Sequence, residues 1–171
     1  MREDGKQNSG WRRHQSQGYE GARIQQPWAT LIATGAKKHE YRSRAIKTPI
    51  KDLVVCASKT ARDFYPIAGL CYGKAIALVD VTKCMQNTDG FIWWLENPRL
   101  IKPFDVHASA AFFYVQNKIE VLPNTREAYE EFILPQAQPG DYDDIKYFPK
   151  ACFGDREAMC YAFGDDVEVW L

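Results

Sequence analysis

"QPWATLIATGAKKHEYRSR", residues 26–44, changes period halfway along. In its first half Trp28, Leu31 and Ile32 fall at i, i+3 and i+4, one apolar face of a short helix. Pro27 suits the first helical position, where a fixed φ helps and a missing N–H costs nothing. Gln26 is a mediocre cap, and Gly35 can take the left-handed conformation that closes the helix. From Lys37 onward the period drops to two. Lys38, Glu40, Arg42 and Arg44 share one face of an extended segment; His39, Tyr41 and Ser43 share the other. Lys37 stands at the bend, with a stem long enough to reach around toward Glu40 and Arg42. The stretch therefore predicts an ammonium, a carboxylate and a guanidinium gathered beside a short helix.

Outward from this stretch the chain reads mainly as strands. "LVVCAS" (53–58) is a continuous run rich in β-branched residues, as expected of a strand buried on both faces. "KAIALVDVTKC" (74–84) is a second such run. "KTARDFYPIAGLCYG" suggests a short helix broken at Pro66. "FIWWLENPRLIKPF" mixes strand and turn signals, with Pro98 and Pro103 as punctuation. "AFFYV" and "IEVL" predict a hairpin around Gln116-Asn117. "TREAYEEFI" (125–133) predicts a helix capped by Asn124 or Thr125, "LPQAQPGDYDDIKYFPK" a loop, and "MCYAFGDDVEVWL" a closing hairpin around Gly164-Asp165. Many short strands with few helices predict an α+β, mainly β fold: a small β-barrel of five to six strands with peripheral short helices.

The chain has 171 residues, enough for one domain with extensions, and 46% of them are apolar, enough for a core. The formal net charge is zero, but residues 1–51 carry eleven Lys/Arg against four Asp/Glu, and residues 124–171 carry four against eleven. A basic front points to an anionic partner, or to the two ends facing each other. Residues 1–22, polar and without apolar periodicity, read as a flexible basic arm whose Trp11, Arg12, Arg13 and His14 are able to touch phosphates or stay solvated. Residues 23–123 read as the barrel, and residues 124–171 as an acidic extension packed on it. The five cysteines are odd in number and spread out, without a C-x-x-C pair or nearby histidines. This predicts no metal site and no cofactor, and free thiols suited to a reducing, cytoplasmic setting. The polar N-terminus reads as one without a secretory signal, and the longest aliphatic run, "AIALV", is far too short to span a membrane.

Three segments in order resemble the ASCH family of the PUA-like superfamily. They are Gln26-Pro27-Trp28-Ala29, Leu31-Ile32 and Gly35-x-Lys37-x-x-Glu40-x-Arg42; "VVCASK"; and "FIWWLENPRLIKPFDV". The likeness covers about residues 23–122. It implies a five- or six-stranded PUA-like barrel with a cleft beside the first helix, and a ligand that is RNA or a modified nucleoside. Some relatives are amidohydrolases acting on N4-acylated cytidine, and ribonuclease activity has been proposed for others. In the amidohydrolases a nucleophilic threonine stands three positions after the motif lysine. Here Lys37 is kept and Glu40 occupies the threonine's place, a departure from that covalent mechanism.

The same residues support two functional readings. In an RNA- or modified-nucleoside-binding module, Lys37, Arg42 and Arg44 hold phosphates while Glu40 accepts from a base amino group. In a small hydrolase acting on N4-acylated cytidine or on RNA phosphodiester bonds, Glu40 activates water or shuttles a proton and Lys37 stabilises an oxyanion. The bland alternative is a surface ion pair between Glu40 and Arg42 or Lys37. Ser58 and Lys59 end a buried strand at the rim: the serine donates to a ligand or caps a helix, and the lysine contacts phosphate. Asp80 interrupts an apolar strand as a cleft residue or a structural acceptor. Trp28 either stacks on a base or completes the core. Trp93 and Trp94, being adjacent in a strand, face opposite sides, one toward the core and one available for stacking. His39 and His107 are isolated. A third reading has the acidic segment after residue 123 cover the basic front in the manner of a nucleic acid.

Overall fold

The structure, a computed structural model, describes residues 18–60, 66–107, 110–140 and 149–163. Six strands form one sheet: β1 (Tyr19–Ile24), β2 (His39–Arg42), β3 (Ile50–Ala57), β4 (Lys74–Asn87), β5 (Gly90–Asp105) and β6 (Phe112–Val115), in the order β2-β5-β4-β3-β1-β6. The strand β1 runs parallel to β3, and every other neighbouring pair is antiparallel. A parallel pair needs a crossover, which is supplied by helix α1 (Trp28–Thr34) and β2. The fold is thus α+β, mainly β, with short helices. Strand β1 begins at Tyr19, inside the segment expected to be an arm; the rest of that segment, with Trp11 to His14, lies outside the described residues.

Alternation along the central strands divides the core. Leu53 and Val55 of β3 pack with Ile32, Ile76, Val79 and Leu100 under α1; Val54 and Cys56 turn to the other face, with Leu78, Ile101 and Val115. Burial of α1 through Leu31 and Ile32 contributes about 1.5–3 kcal/mol per side chain. Gly35 takes the left-handed conformation at φ 88° and donates to Ile32 O, ending the helix. The helix starts one residue later than expected, at Trp28 with Pro27 in the cap position and no side-chain cap bond from it, yet the Gln26 amide still holds its first turn. Its Oε1 accepts from Thr30 N at 3.1 Å and Thr30 Oγ1 at 3.0 Å, while Nε2 donates to Cys71 O at 2.7 Å. A group with both donor and acceptor secures the first turn and ties it to a segment forty-five residues on, which an aspartate or serine could not do alone.

Three other local expectations change. "FIWWLENPRLIKPF" is a single strand, because bulges in the β4–β5 register, with Asn97 at φ 52°, let Pro98 and Pro103 sit where no ladder bond is lost. "AFFYV" and "IEVL" do not pair with each other: β6 joins β1, while Val121 bridges to Ile101 of β5. Helix α3 (Arg156–Phe163) replaces the first half of the expected closing hairpin; the remainder, from Gly164-Asp165 to the C-terminus, lies outside the described residues. Helix α2 (Arg126–Ala128) is capped by Thr125, whose side chain accepts from Ala128 N at 3.2 Å, and runs on as a π turn, Tyr129–Ile133. Tyr129 is fully buried in the α1-side core and donates to Gly69 O at 2.9 Å, so residues 126–133 share that core.

The expected barrel of five to six strands is an incomplete one, of six. Among the described residues, backbone pairing stops at β2 and β6, leaving both as edges. The sheet nevertheless curls far enough for side chains to bridge the gap. Arg42 Nη2 of β2 donates to Arg23 O of β1 at 2.8 Å, and Trp93 of β5 meets Phe112 of β6 edge-to-face at 6.2 Å. A charged cleft lies in the seam between these edges.

Candidate functional site

The cleft is about 700 Å³ in volume. The end of β1 supplies Arg23, Ile24 and Gln25; α1 supplies Trp28; the bend after it supplies Lys37; β2 and its continuation supply Glu40, Tyr41, Arg42 and Ser43; and the ends of β3 and the β6 approach supply Ser58 and Ala111. The β2 alternation puts Glu40 opposite Trp93 and Arg42 opposite Phe91, both on the inner face. Gly90 makes this pairing possible: a Cβ there would collide with the Arg42 carbonyl.

Lys37 is a buried lysine with 4% exposure, anchored through its N–H to Leu31 O at 3.0 Å. Its ammonium lies 5.3 Å from the Tyr41 ring centroid. Burial pulls its pKa below the ordinary 10.5, an effect the Glu40 charge opposes. Burial pushes the Glu40 carboxyl above its ordinary 4.5, opposed by the nearby Arg42 and Lys37 charges. Arg42 Nε lies 3.2 Å from Glu40 Oε1, an ion pair without hydrogen-bond alignment, and among the described residues this buried Nε has no hydrogen-bond partner. The Arg42 guanidinium also covers the Trp93 ring at 5.2 Å. Desolvation, not pairing, dominates here, which distinguishes the group from an exposed ion pair on a sheet surface.

Of the residues singled out in the sequence, Trp28, Lys37, Glu40, Arg42 and Ser58 line this one cleft. Trp28 packs against the core, as one reading expected, and also lines the cleft. Ser58 is buried and donates its N–H to Ile24 O at 2.8 Å. Arg44 is exposed and does not line the cleft. Lys59 lines a separate hollow of about 330 Å³ with His107, which shares Arg23 and Ser58 with the main cleft. Asp80 is a structural acceptor: Arg99 donates to it at 2.6 Å, Asn97 at 3.1 Å and Asp52 N at 3.0 Å. Trp93 is the core ring and Trp94 the exposed one. Sequence reasoning missed Arg23, Gln25 and Ser43. Arg23 carried a usable signal, since it stands between the apolar Ala22 and Ile24 just before the helix. Among the described residues, no three His, Cys, Asp or Glu side chains group as a metal site requires, and no helix is long and apolar enough to cross a membrane.

An incomplete β-barrel with a charged seam beside its first helix defines the class of domain. The sequence model of the ASCH domain matches residues 23–132, and the chain belongs to the ASCH domain family. Among solved structures, a serine-to-alanine mutant of the ASCH protein ZmASCH from Zymomonas mobilis aligns with 78% of this chain and 96% of its own, at 14% identity and a TM-score of 0.36. No curated protein matches the chain.

Proposed function

We propose that the chain binds RNA or a modified nucleoside, with one unpaired base in the cleft. The observation that carries this is the convergence of Lys37, Glu40 and Arg42 in one recess sized for a small ligand, with Trp28 and Ser58 on its walls. A base has amino and carbonyl edges and a flat face, and its phosphates are anionic. Glu40 accepts from an exocyclic amino group, Arg42 and Lys37 donate to carbonyl or phosphate oxygens, and Trp28 offers an aromatic edge or face. The family's association with RNA binding agrees with this chemistry. The reducing cytoplasm is the fitting compartment, since Cys56, Cys71 and Cys152 are buried free thiols.

The test is fluorescence anisotropy with a single-stranded RNA hexamer, with N4-acetylcytidine as competitor, across a salt series. If Arg23, Lys37 and Arg42 each neutralise a phosphate, affinity falls about 20-fold between 50 and 200 mM salt. Salt-independent binding overturns phosphate recognition, and no binding of either ligand overturns the reading.

A second reading, hydrolysis of N4-acylated cytidine or of RNA, is favoured by one observation: Glu40 is a desolvated carboxyl shifted toward neutral pH beside a desolvated ammonium. Such a pair suits proton transfer and oxyanion stabilisation. Product release that disappears in both Lys37→Ala and Glu40→Ala supports catalysis; substrates recovered intact after binding reject it.

A further inference from the structure

The register of β2, β5 and β4 places a second set of side chains on the outer face. His39 pairs with Trp94 and Tyr41 with Ile92; Trp94 in turn pairs with Lys83, and Ile92 with Met85. Directly opposed residues share a face, so these six form one patch, backed by the ladder whose inner face carries Glu40 and Trp93. Three of them are large and exposed: Tyr41 at 60%, Trp94 at 42% and Met85 at 41%. His39 meets Trp94 edge-to-face at 4.3 Å, which fixes the orientation of the indole while its other surface stays open.

The patch is not flat. A hollow of about 400 Å³ opens beside Trp94, lined also by His39, Lys38, Glu96 and Asn97. Lys37 lines both this hollow and the main cleft, and Tyr41, on the patch, reaches the cleft as well. The two recesses therefore meet at β2, an edge strand with no neighbour beyond it among the described residues. A strand of nucleic acid leaving the cleft would cross this edge, where both recesses share Lys37, to reach Trp94. The exposed Lys38 and Lys83 border its path, and Glu96 supplies an acceptor for a base amino group. A stable protein interface needs about 800 Å² per partner with a desolvated apolar centre, more than a ring pair, a tyrosine and a methionine edged by lysines offer. Aromatic rings flanked by cations are the arrangement that unpaired bases select.

We propose that the Trp94–His39 face stacks a second unpaired base of a single-stranded RNA whose first base occupies the cleft. This rests on the reading of the cleft as a nucleoside site, and the experiment separates the two. Affinities of the full chain are measured for a mononucleotide and for fluorescein-labelled single-stranded RNA hexamers, with Trp94→Ala, Trp94→Phe and Lys37→Ala. Trp94→Ala weakens hexamer binding about tenfold or more and leaves mononucleotide binding unchanged, while Trp94→Phe keeps most of the affinity. Because Trp94 is on the surface, a far-ultraviolet circular dichroism spectrum matching that of the parent chain verifies that the variants are folded. Equal hexamer affinity in Trp94→Ala and the parent, with loss in Lys37→Ala, overturns the stacking site and leaves the cleft reading standing. Hexamer loss in Trp94→Ala without any effect of Lys37→Ala supports the face and overturns the cleft reading. A chain that binds no hexamer but forms a dimer broken by Trp94→Ala assigns the face to protein and overturns both.

Discussion

Replacing Glu40 by glutamine should leave the protein at least as stable as before while impairing its ligand binding. The carboxylate lies 3.2 Å from Arg42 Nε. At an effective dielectric of about 20, such a pair attracts by about 5 kcal/mol. Against this stands a desolvation penalty of several kcal/mol per ion. The two nearly cancel, and the direction of the Glu40 shift shows which is larger: burial raises its pKa above 4.5 in spite of Arg42 and Lys37. A carboxyl titrating higher in the folded than in the unfolded chain contributes stability fully present below the unfolded value, and loses it as pH rises through the folded value. Glutamine imitates the protonated form. At pH 7, Glu40→Gln should therefore raise the unfolding free energy by zero to about 1 kcal/mol, a gain that fades as the pH falls through the raised folded value and is gone below 4.5. Ligand affinity in the same variant should drop roughly tenfold or more, since a charged acceptor has been lost. Urea unfolding at pH 7 and pH 4, with anisotropy at pH 7, measures all three effects. A variant destabilised by more than about 2 kcal/mol at pH 7 would show that pairing outweighs burial, and the view of the cleft as a desolvated site would fail.

Lys37→Met should reduce RNA affinity about tenfold by titration calorimetry with no loss of melting temperature, because burial already disfavours the Lys37 charge and pulls its pKa down. Arg99→Met should cost about 2 kcal/mol in urea unfolding, since it strips Asp52 and Asp80 of donors at 2.5 and 2.6 Å. Partial burial pushes the Asp80 carboxyl up, but the bonds from Asp52 N–H and Asn97 together with the Arg99 charge hold it below 3.8. That contribution is present above the unfolded value and lost as pH falls through the lower folded one, so the parent and Arg99→Met should converge in stability at strongly acid pH. Gly90→Ala should destabilise by about 1–3 kcal/mol and weaken ligand binding too, because the new Cβ meets the Arg42 carbonyl. Amide exchange that accelerates selectively in residues 39–42 would place the effect at β2, whereas unchanged exchange there would refute it.

The candidate site's geometry was more legible in the sequence than the sheet was. Trp28, Leu31 and Ile32 at helical spacing, then Glu40 and Arg42 two apart, are local patterns, and local patterns fix which way side chains point. Family resemblance in the same stretch then indicated a cleft beside the helix. Pairing partners are set over long distances. Nothing near Phe112 says that it joins β1, more than eighty residues earlier, instead of the adjacent "IEVL". Pro98 and Pro103 read as breaks because a proline's effect depends on the ladder position it occupies, and bulges decide that position. Gln26 was undervalued for a similar reason. Its worth comes from Cys71 O, forty-five residues away. Trp93 and Trp94 illustrate the boundary between the two kinds of information: alternation requires opposite faces, but only the β2 register selects which ring is covered.

Across the seam, Arg42 of β2 reaches a carbonyl of β1 and Trp93 of β5 meets Phe112 of β6, with no backbone ladder between the edges among the described residues. Dilating that aperture breaks no strand pairing, so if the cleft takes a base, a bulkier guest such as one bearing an acyl substituent would need only the Arg42 side chain to swing aside. A fully zipped cylinder would have to unpair a strand for the same guest. On the proposed reading, size selectivity would then depend on how one long, hinged side chain is latched, and Arg42→Lys, which shortens the latch, should broaden the range of guests accepted.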